Sequence, residues 1–392
     1  MKLRFTRSLL SAVLLLSGCF ALRAADAPRA QPDPVEGLPD GLYAEIGTPR
    51  GSVTCELFFT RAPLTVASFV GLAEGKLGPA PRKPFFNGLT FHRVVPGFVV
   101  QGGDPTATGD GGPGYAFPDE FAAGLRHEAT GILSMANDGP DTNGSQFFLT
   151  LRELNRLNYL HSVFGRVVRG LAVLPQIKQG DAMTVKILRV GGSARAFRAD
   201  DAALAALKAK TKSYTAAVEP GPAAHFDDPA KLLPTEPARA RAFNIKLANL
   251  ERATGLRIVA RLFAKSPSAA EDAVPGAFMR ALAAKVGVAQ RGAVAAYFAD
   301  DDDWRVWIGD EITPRFVGRS GTAKEFTESG AMHEVKEAFL KAAVATRDAT
   351  FATQQKTVTP DQPLPPAQKL KLHTDALIDG LIGKLEPTLF SP

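Results

Sequence analysis

Short runs of apolar residues, broken by glycine and proline, dominate the first half of the chain. From Leu42 the pattern is strand-like: Tyr43, Glu45 and Gly47 alternate with Ala44 and Ile46. Pro49-Arg50-Gly51-Ser52 reads as a hairpin turn, and Val53 to Phe58 as the returning strand. Residues 61–75 read as a helix, with Thr60 as its cap, Pro63 in its first turn, and Val66, Phe69, Val70 and Leu72 on one apolar face. Further apolar runs at 89–104, 131–136, 146–150 and 163–168 predict short strands of a barrel or sandwich that ends near Gly192. Residues 194–238 are rich in Ala, Lys and Pro and read as a partly helical connector.

A different pattern begins near Arg241. Phe243, Leu247 and Leu250 space as a helix, Leu256 to Ala264 has strand character, and 273–286 reads as a helix. Gly292 to Ala299 and Trp304 to Ile308 predict two strands joined by the acidic turn Asp300 to Asp303, and 322–346 and 367–384 predict helices. That order is α/β, unlike the first half. The predicted layout is residues 1–18 signal peptide, 19–40 tether, 41–193 first domain, 194–238 linker and 239–392 a smaller α/β domain.

The N-terminus changes the picture. Lys2, Arg4 and Arg7 precede the apolar run Leu9 to Leu16, too short for the roughly 20 residues a spanning helix needs. This is the layout of an export signal. Leu16-Ser17-Gly18-Cys19 resembles a bacterial lipobox, in which the cysteine is acylated and becomes the mature N-terminus. The expectation is an exported, periplasmic chain anchored to a membrane through lipid on Cys19. The alternative is plain cleavage after Ala24 or Ala25. Loss of residues 1–18 removes three positive charges, taking the formal charge from +6 to +3, with no basic stripe and so no case for nucleic acid. The two cysteines are Cys19 and Cys55; with Cys19 acylated, Cys55 has no disulfide partner and reads as a small buried hydrophobe. Hydrophobic residues at 45% fit a folded, core-forming protein.

The chemistry concentrates in Phe91-His92-Arg93-Val94-Val95-Pro96-Gly97-Phe98-Val99-Val100-Gln101-Gly102-Gly103-Asp104. An arginine in an apolar strand costs free energy unless it is paired or functional, and this segment alone leaves both readings open. Further along come Thr130-Gly131-Ile132-Leu133-Ser134-Met135-Ala136-Asn137, Thr142-Asn143-Gly144-Ser145-Gln146-Phe147-Phe148, His161-Ser162-Val163-Phe164-Gly165 and Phe117-Pro118-Asp119-Glu120-Phe121. Together, in this order, over about two fifths of the chain, residues 43–191, these segments resemble the cyclophilins, the peptidyl-prolyl cis/trans isomerases.

The resemblance implies a closed antiparallel β-barrel with capping helices and no metal or cofactor. It also implies proline-containing polypeptides as substrates. Arg93 and Gln101 match the catalytic positions, and His92, Phe98, Val99, Ala136, Asn137, Gln146, Phe148, Leu157 and His161 match the substrate groove. Three positions depart from the family pattern: Arg156 stands where many members carry Trp, Val99 where Met is common, and Asp138 where a small apolar residue is usual. The first removes a contact for cyclosporin. Gly109-Asp110-Gly111-Gly112-Pro113-Gly114 lacks the Lys and Ser/Thr of a phosphate loop and reads as a flexible loop beside the groove.

In the second half, Leu250 to Ile258, Gly287 to Gly292 and Trp304 to Gly309 weakly resemble TPM domains of exported bacterial proteins. Asp300 to Asp303 reads as a solvated turn in preference to a cation site, and no catalysis is assigned there. The function expected is isomerisation of X–Pro bonds in exported proteins. The alternatives are a binding module for proline peptides, or a scaffold whose main role lies in the C-terminal domain.

Overall fold

The structure is a computed structural model that describes residues 35–213, 219–356, 358–359, 363–365 and 367–386. Cys19, the signal segment and most of the tether lie outside the described residues. No helix among those described is long and apolar enough to cross a membrane.

Eight strands make the first sheet: β1 (Gly41–Thr48), β2 (Gly51–Leu57), β3 (Arg93–Val95), β4 (Val99–Gly102), β5 (Ile132–Met135), β6 (Phe147–Thr150), β7 (Val163–Arg169) and β8 (Thr184–Val190). They pair antiparallel in the order β3-β4-β6-β5-β7-β2-β1-β8. The expected closed barrel is corrected to a curled, open sheet. Its edges, β3 and β8, share no ladder; the segments leading into them touch through a bridge between Thr90 and Ala182 and bonds such as Met183 N to Leu89 O at 2.8 Å.

The helix α1 (Pro63–Ala73) fills the curl of the sheet. Every residue from Leu64 to Ala73 is buried, where the sequence predicts a single apolar face. Thr60 does not cap it. Glu120, from the distant Phe117–Phe121 segment, instead accepts from the backbone of Leu64 at 3.1 Å and Thr65 at 2.9 Å, supplying the anion that a helix start favours. Phe69 packs on Phe86 at 4.9 Å and Phe147 at 5.5 Å between ring centroids, and burying each such ring contributes roughly 1.5–3 kcal/mol. Cys55 on β2 is fully buried in this core, and burial pushes its thiol up to about 12.

Part of the expected connector belongs to that same core. Residues 194–210 contribute to α2 (Gly191–Ala196) and α3 (Asp201–Lys210), and Ala194, Ala199 and Leu204 join the first cluster. The C-terminal half follows as β9 (Phe226–Asp227), α4 (Arg239–Thr254), β10 (Ile258–Phe263), α5 (Ala277–Lys285), β11 (Ala293–Phe298) and β12 (Asp303–Ile308). After these come α6 (Thr313–Val317), α7 (Ala323–Glu328), α8 (Ala331–Gln355) and α9 (Gln368–Leu385). Its sheet runs β12-β11-β10-β9, with β9, β10 and β11 parallel and β12 antiparallel. The single helix predicted from residue 322 is two, because Gly330 adopts a left-handed φ of 76° between α7 and α8. The acidic turn is internally engaged: Asp300 accepts from Ser266 N at 2.8 Å and Asp302 from the Tyr297 hydroxyl at 2.8 Å. Trp304 is core, while Trp307 is half-buried beside Arg280 and Lys336.

The described residues from Leu38 onward form one compact unit. The two halves meet where α4 and the end of α9 grip loops of the first half. Lys246 Nζ donates to Asn155 O at 3.0 Å and Asn249 Nδ2 to Tyr159 O at 2.9 Å. Glu386 accepts from Gly124 N at 2.5 Å and from the Tyr159 hydroxyl. Tyr159 itself, on the first half of the chain, is buried in the C-terminal core.

Candidate active site

Pro96-Gly97 turns β3 back into β4, with Phe98 N donating to Val95 O at 2.9 Å and Gly97 at a left-handed φ of 67°. The register sets Arg93 opposite Gln101, so both side chains share one face. Arg93 Nη1 donates to Gln101 Oε1 at 3.0 Å, and Gln101 Nε2 to Gln146 Oε1 at 3.0 Å. Gln146 Nε2 in turn donates to the carbonyls of Gly109 at 2.6 Å and Gly111 at 2.9 Å. Arg93 is exposed and free of carboxylates within ion-pair distance among the described residues. The structural ion-pair reading of this arginine is therefore not what the geometry shows.

The glycine-rich loop is pinned, not loose. Buried Asp104 accepts from Thr106 N at 2.7 Å and Gly109 N at 2.6 Å, and these bonds pull its carboxyl below the ordinary range against its burial. A depression of about 420 Å³ lies between this loop and Ala136, Asn137 and Asp138. Asn137 spends its side chain locally, Nδ2 donating to Leu160 O at 2.9 Å.

Beside this polar chain sits a small apolar cluster separate from the main core: Val99, Phe148 and Leu154, with Phe98, Ala136 and Leu157 packed against it. His161 meets the Phe148 ring edge-on at 5.6 Å and donates from Nδ1 to Met135 O at 3.1 Å. The structure thus gathers all the predicted groove residues except one. His92 precedes β3 on the alternate side from Arg93, half-buried, with neither ring nitrogen hydrogen-bonded.

Sequence reasoning missed two supports. Leu154 is one, although the spacing Leu151, Leu154, Leu157, Leu160 marks it. The other is His127, fully buried, stacked on the back of Phe148 at 5.7 Å and donating from Nδ1 to Asn158 Oδ1 at 3.0 Å.

Burial pushes His161 down to about 4 and His127 to about 3, so both are neutral at physiological pH. Activity at this site should therefore show a flat kcat/KM from about pH 5.5 to about pH 9 and fall only as His161 gains charge near 4. Exchange NMR on a proline peptide across that range checks it; a step near pH 6.5 would contradict it. Both histidines take up a proton more readily unfolded than folded, so stability drains as pH falls below about 6.5. Asp119, lifted to about 6 by burial, acts with opposite sign between about 4 and 6.

An exposed arginine held by a glutamine at the rim of an apolar cleft, with neutral histidines, defines a peptide-binding site suited to chemistry without proton transfer. The family model described as cyclophilin type peptidyl-prolyl cis-trans isomerase/CLD matches residues 43–191. Peptidyl-prolyl cis-trans isomerase A of Mycobacterium tuberculosis is 49% identical over 132 residues, 32% of this chain and 72% of that protein. A Helicobacter pylori peptidyl-prolyl cis-trans isomerase is 46% identical over 148 residues, 37% of this chain and 86% of that protein. A solved Cryptosporidium parvum cyclophilin type peptidyl-prolyl cis-trans isomerase is 33% identical, with a TM-score of 0.34, covering 38% of this chain and 98% of that one. The chain belongs to the cyclophilin-type peptidyl-prolyl cis-trans isomerases.

Proposed function

We propose that Arg93 accelerates rotation about X–Pro bonds by donating to the prolyl nitrogen as its amide loses planarity. The barrier of about 18–20 kcal/mol arises from resonance that occupies the nitrogen lone pair. A planar nitrogen is a poor acceptor and a pyramidal one a good acceptor, so this bond favours the twisted state over the ground state. Gln101 orients the guanidinium through the 3.0 Å bond. Phe98, Val99, Phe148, Leu157 and the edge of His161 hold the proline ring while one side of the peptide rotates. Ala136, Asn137 and Gln146 line the side on which the extended chain lies.

The observation that carries this reading is the Arg93–Gln101 pair at the rim of the apolar cluster. Exchange NMR or a protease-coupled assay on a proline tetrapeptide tests it. Purified full-length chain should raise the cis-to-trans rate in proportion to its concentration, and no acceleration would overturn it.

The clients are exported polypeptides, and the chain is held at a periplasmic membrane face through acyl chains on Cys19. The support is the charged and apolar run that leads into Leu16-Ser17-Gly18-Cys19. Cells expressing wild type and Cys19→Ser, fed labelled palmitate, should label only the former. Equal labelling of both would exclude the anchor.

A further inference from the structure

We propose that the groove carries a carboxylate subsite built on Arg156, which favours polypeptides with an acidic residue flanking the proline on the Leu157 side. This rests on the isomerase reading above and names its substrate class.

Arg156 adjoins Leu157 in the turn Asn155–Leu157. Its guanidinium carbon lies 4.6 Å from the centre of the Phe98 ring, and that of Arg93 lies 5.8 Å from the same ring. Two cations therefore flank one wall of the prolyl cluster. Arg156 is half-buried, yet among the described residues it donates no hydrogen bond and has no carboxylate within 4.0 Å. A guanidinium carries five donors and cannot shed its proton, so a half-buried one without acceptors is poised for an anion.

The acids nearest to it are already committed. Asp375 pairs with Lys371 at 2.5 Å, and Asp379 pairs with Lys246, which also holds Asn155 O at 3.0 Å. Glu153 accepts from Asn155. Arg152 adds a second cation at this rim, its Nε donating to Gly97 O at 2.8 Å, again without an ion pair among the described residues. A cleft of about 560 Å³ opens here, lined by Arg152, Leu154 and Arg156 on one side and Leu372, Asp375 and Ala376 of α9 on the other. With the lysines neutralising the aspartates, Arg152 and Arg156 outweigh the one remaining acid of the lining, Glu153, and the net charge of the cleft is positive. A peptide leaving the prolyl pocket past Leu157 enters it, and an extended chain advances about 3.3 Å per residue, so a residue one or two places from the proline reaches Arg156.

The test uses the full chain and amidated proline peptides carrying Asp, Asn or Lys at one or two places before or after the proline. Exchange NMR gives kcat/KM and fluorescence anisotropy gives Kd for the same peptides. On one flank, Asp should exceed Asn by about fivefold, Lys should fall below it, and added salt should erase the difference. Arg156→Gln should bring the Asp/Asn ratio near one, and Arg156→Lys should keep part of it. A peptide whose only carboxylate is its own C-terminus separates a terminal from a side-chain anion. Equal values for Asp and Asn in the wild type, or an unchanged ratio in Arg156→Gln, would overturn the subsite. Should no peptide be turned over, the isomerase reading fails, and anisotropy alone decides the subsite by whether Asp peptides bind tighter to wild type than to Arg156→Gln.

Discussion

Arg93→Ala should lower kcat/KM for prolyl isomerisation by about a hundredfold or more while leaving thermal stability nearly unchanged. The loss follows from the role given to the side chain. Removing one preorganised donor that acts only in the transition state typically costs about 10²–10³ in rate. The stability expectation follows from its surroundings: Arg93 is exposed, its one side-chain hydrogen bond among the described residues is to Gln101 at 3.0 Å, and substitutions of this kind usually stay within about 0.5 kcal/mol. Arg93→Lys should recover little, since a point charge lacks the fork that binds Gln101 and the peptide together. Gln101→Ala should sit between the two, because it loosens the guanidinium without removing it. Isomerisation rates and melting curves on the same preparations check all three. Wild-type rates in Arg93→Ala would take Arg93 out of the mechanism.

Tyr159→Ala should be among the most destabilising single changes in the molecule, at about 3–5 kcal/mol by denaturant unfolding. Tyr159 is 2% exposed, and its ring sits among C-terminal core residues while its backbone belongs to the isomerase loop. Removing the ring leaves a cavity at the joint. It also strips a partner from Glu386, which is buried and whose carboxyl burial already holds above its ordinary range. Tyr159→Phe isolates the second effect, with an expected cost of about 1–3 kcal/mol. Because the same loop carries Leu157 and leads into His161, Tyr159→Ala should also raise KM for proline peptides more than it lowers kcat. A loss confined to stability, with KM unchanged, would show that the C-terminal half merely leans on the isomerase half.

That coupling was invisible in the sequence, and the reason is physical. Lys246, Asn249 and Glu386 read as ordinary polar positions of two helices, and their partners across the joint, backbone groups and the Tyr159 hydroxyl, lie more than eighty residues away in the chain. Nothing local distinguishes a lysine that meets water from one that meets Asn155 O. The same limit explains α1. Its apolar positions are legible, but that a helix is covered on every side depends on a sheet wrapping round it, and that its start is satisfied by Glu120 depends on a loop fifty-five residues later. The strands, by contrast, are set by local alternation and by Gly and Pro punctuation, and they fall where the pattern puts them, from Gly41–Thr48 to Val163–Arg169. The polar chain Arg93–Gln101–Gln146 was reachable because its members lie in long motifs. His92, placed in the groove by the resemblance, stands apart from the gathered residues because neighbours on an extended chain point to opposite sides.

Cys55 is the one cysteine among the described residues, and it lies on β2 with no exposed surface. A thiol in that position is sealed from oxidants and alkylating reagents until the first sheet comes apart. In a Cys19→Ser background, the rate of thiol labelling therefore clocks whole-sheet opening. A partner or peptide that tightens the molecule would announce itself as a slower clock, with no probe attached to the surface.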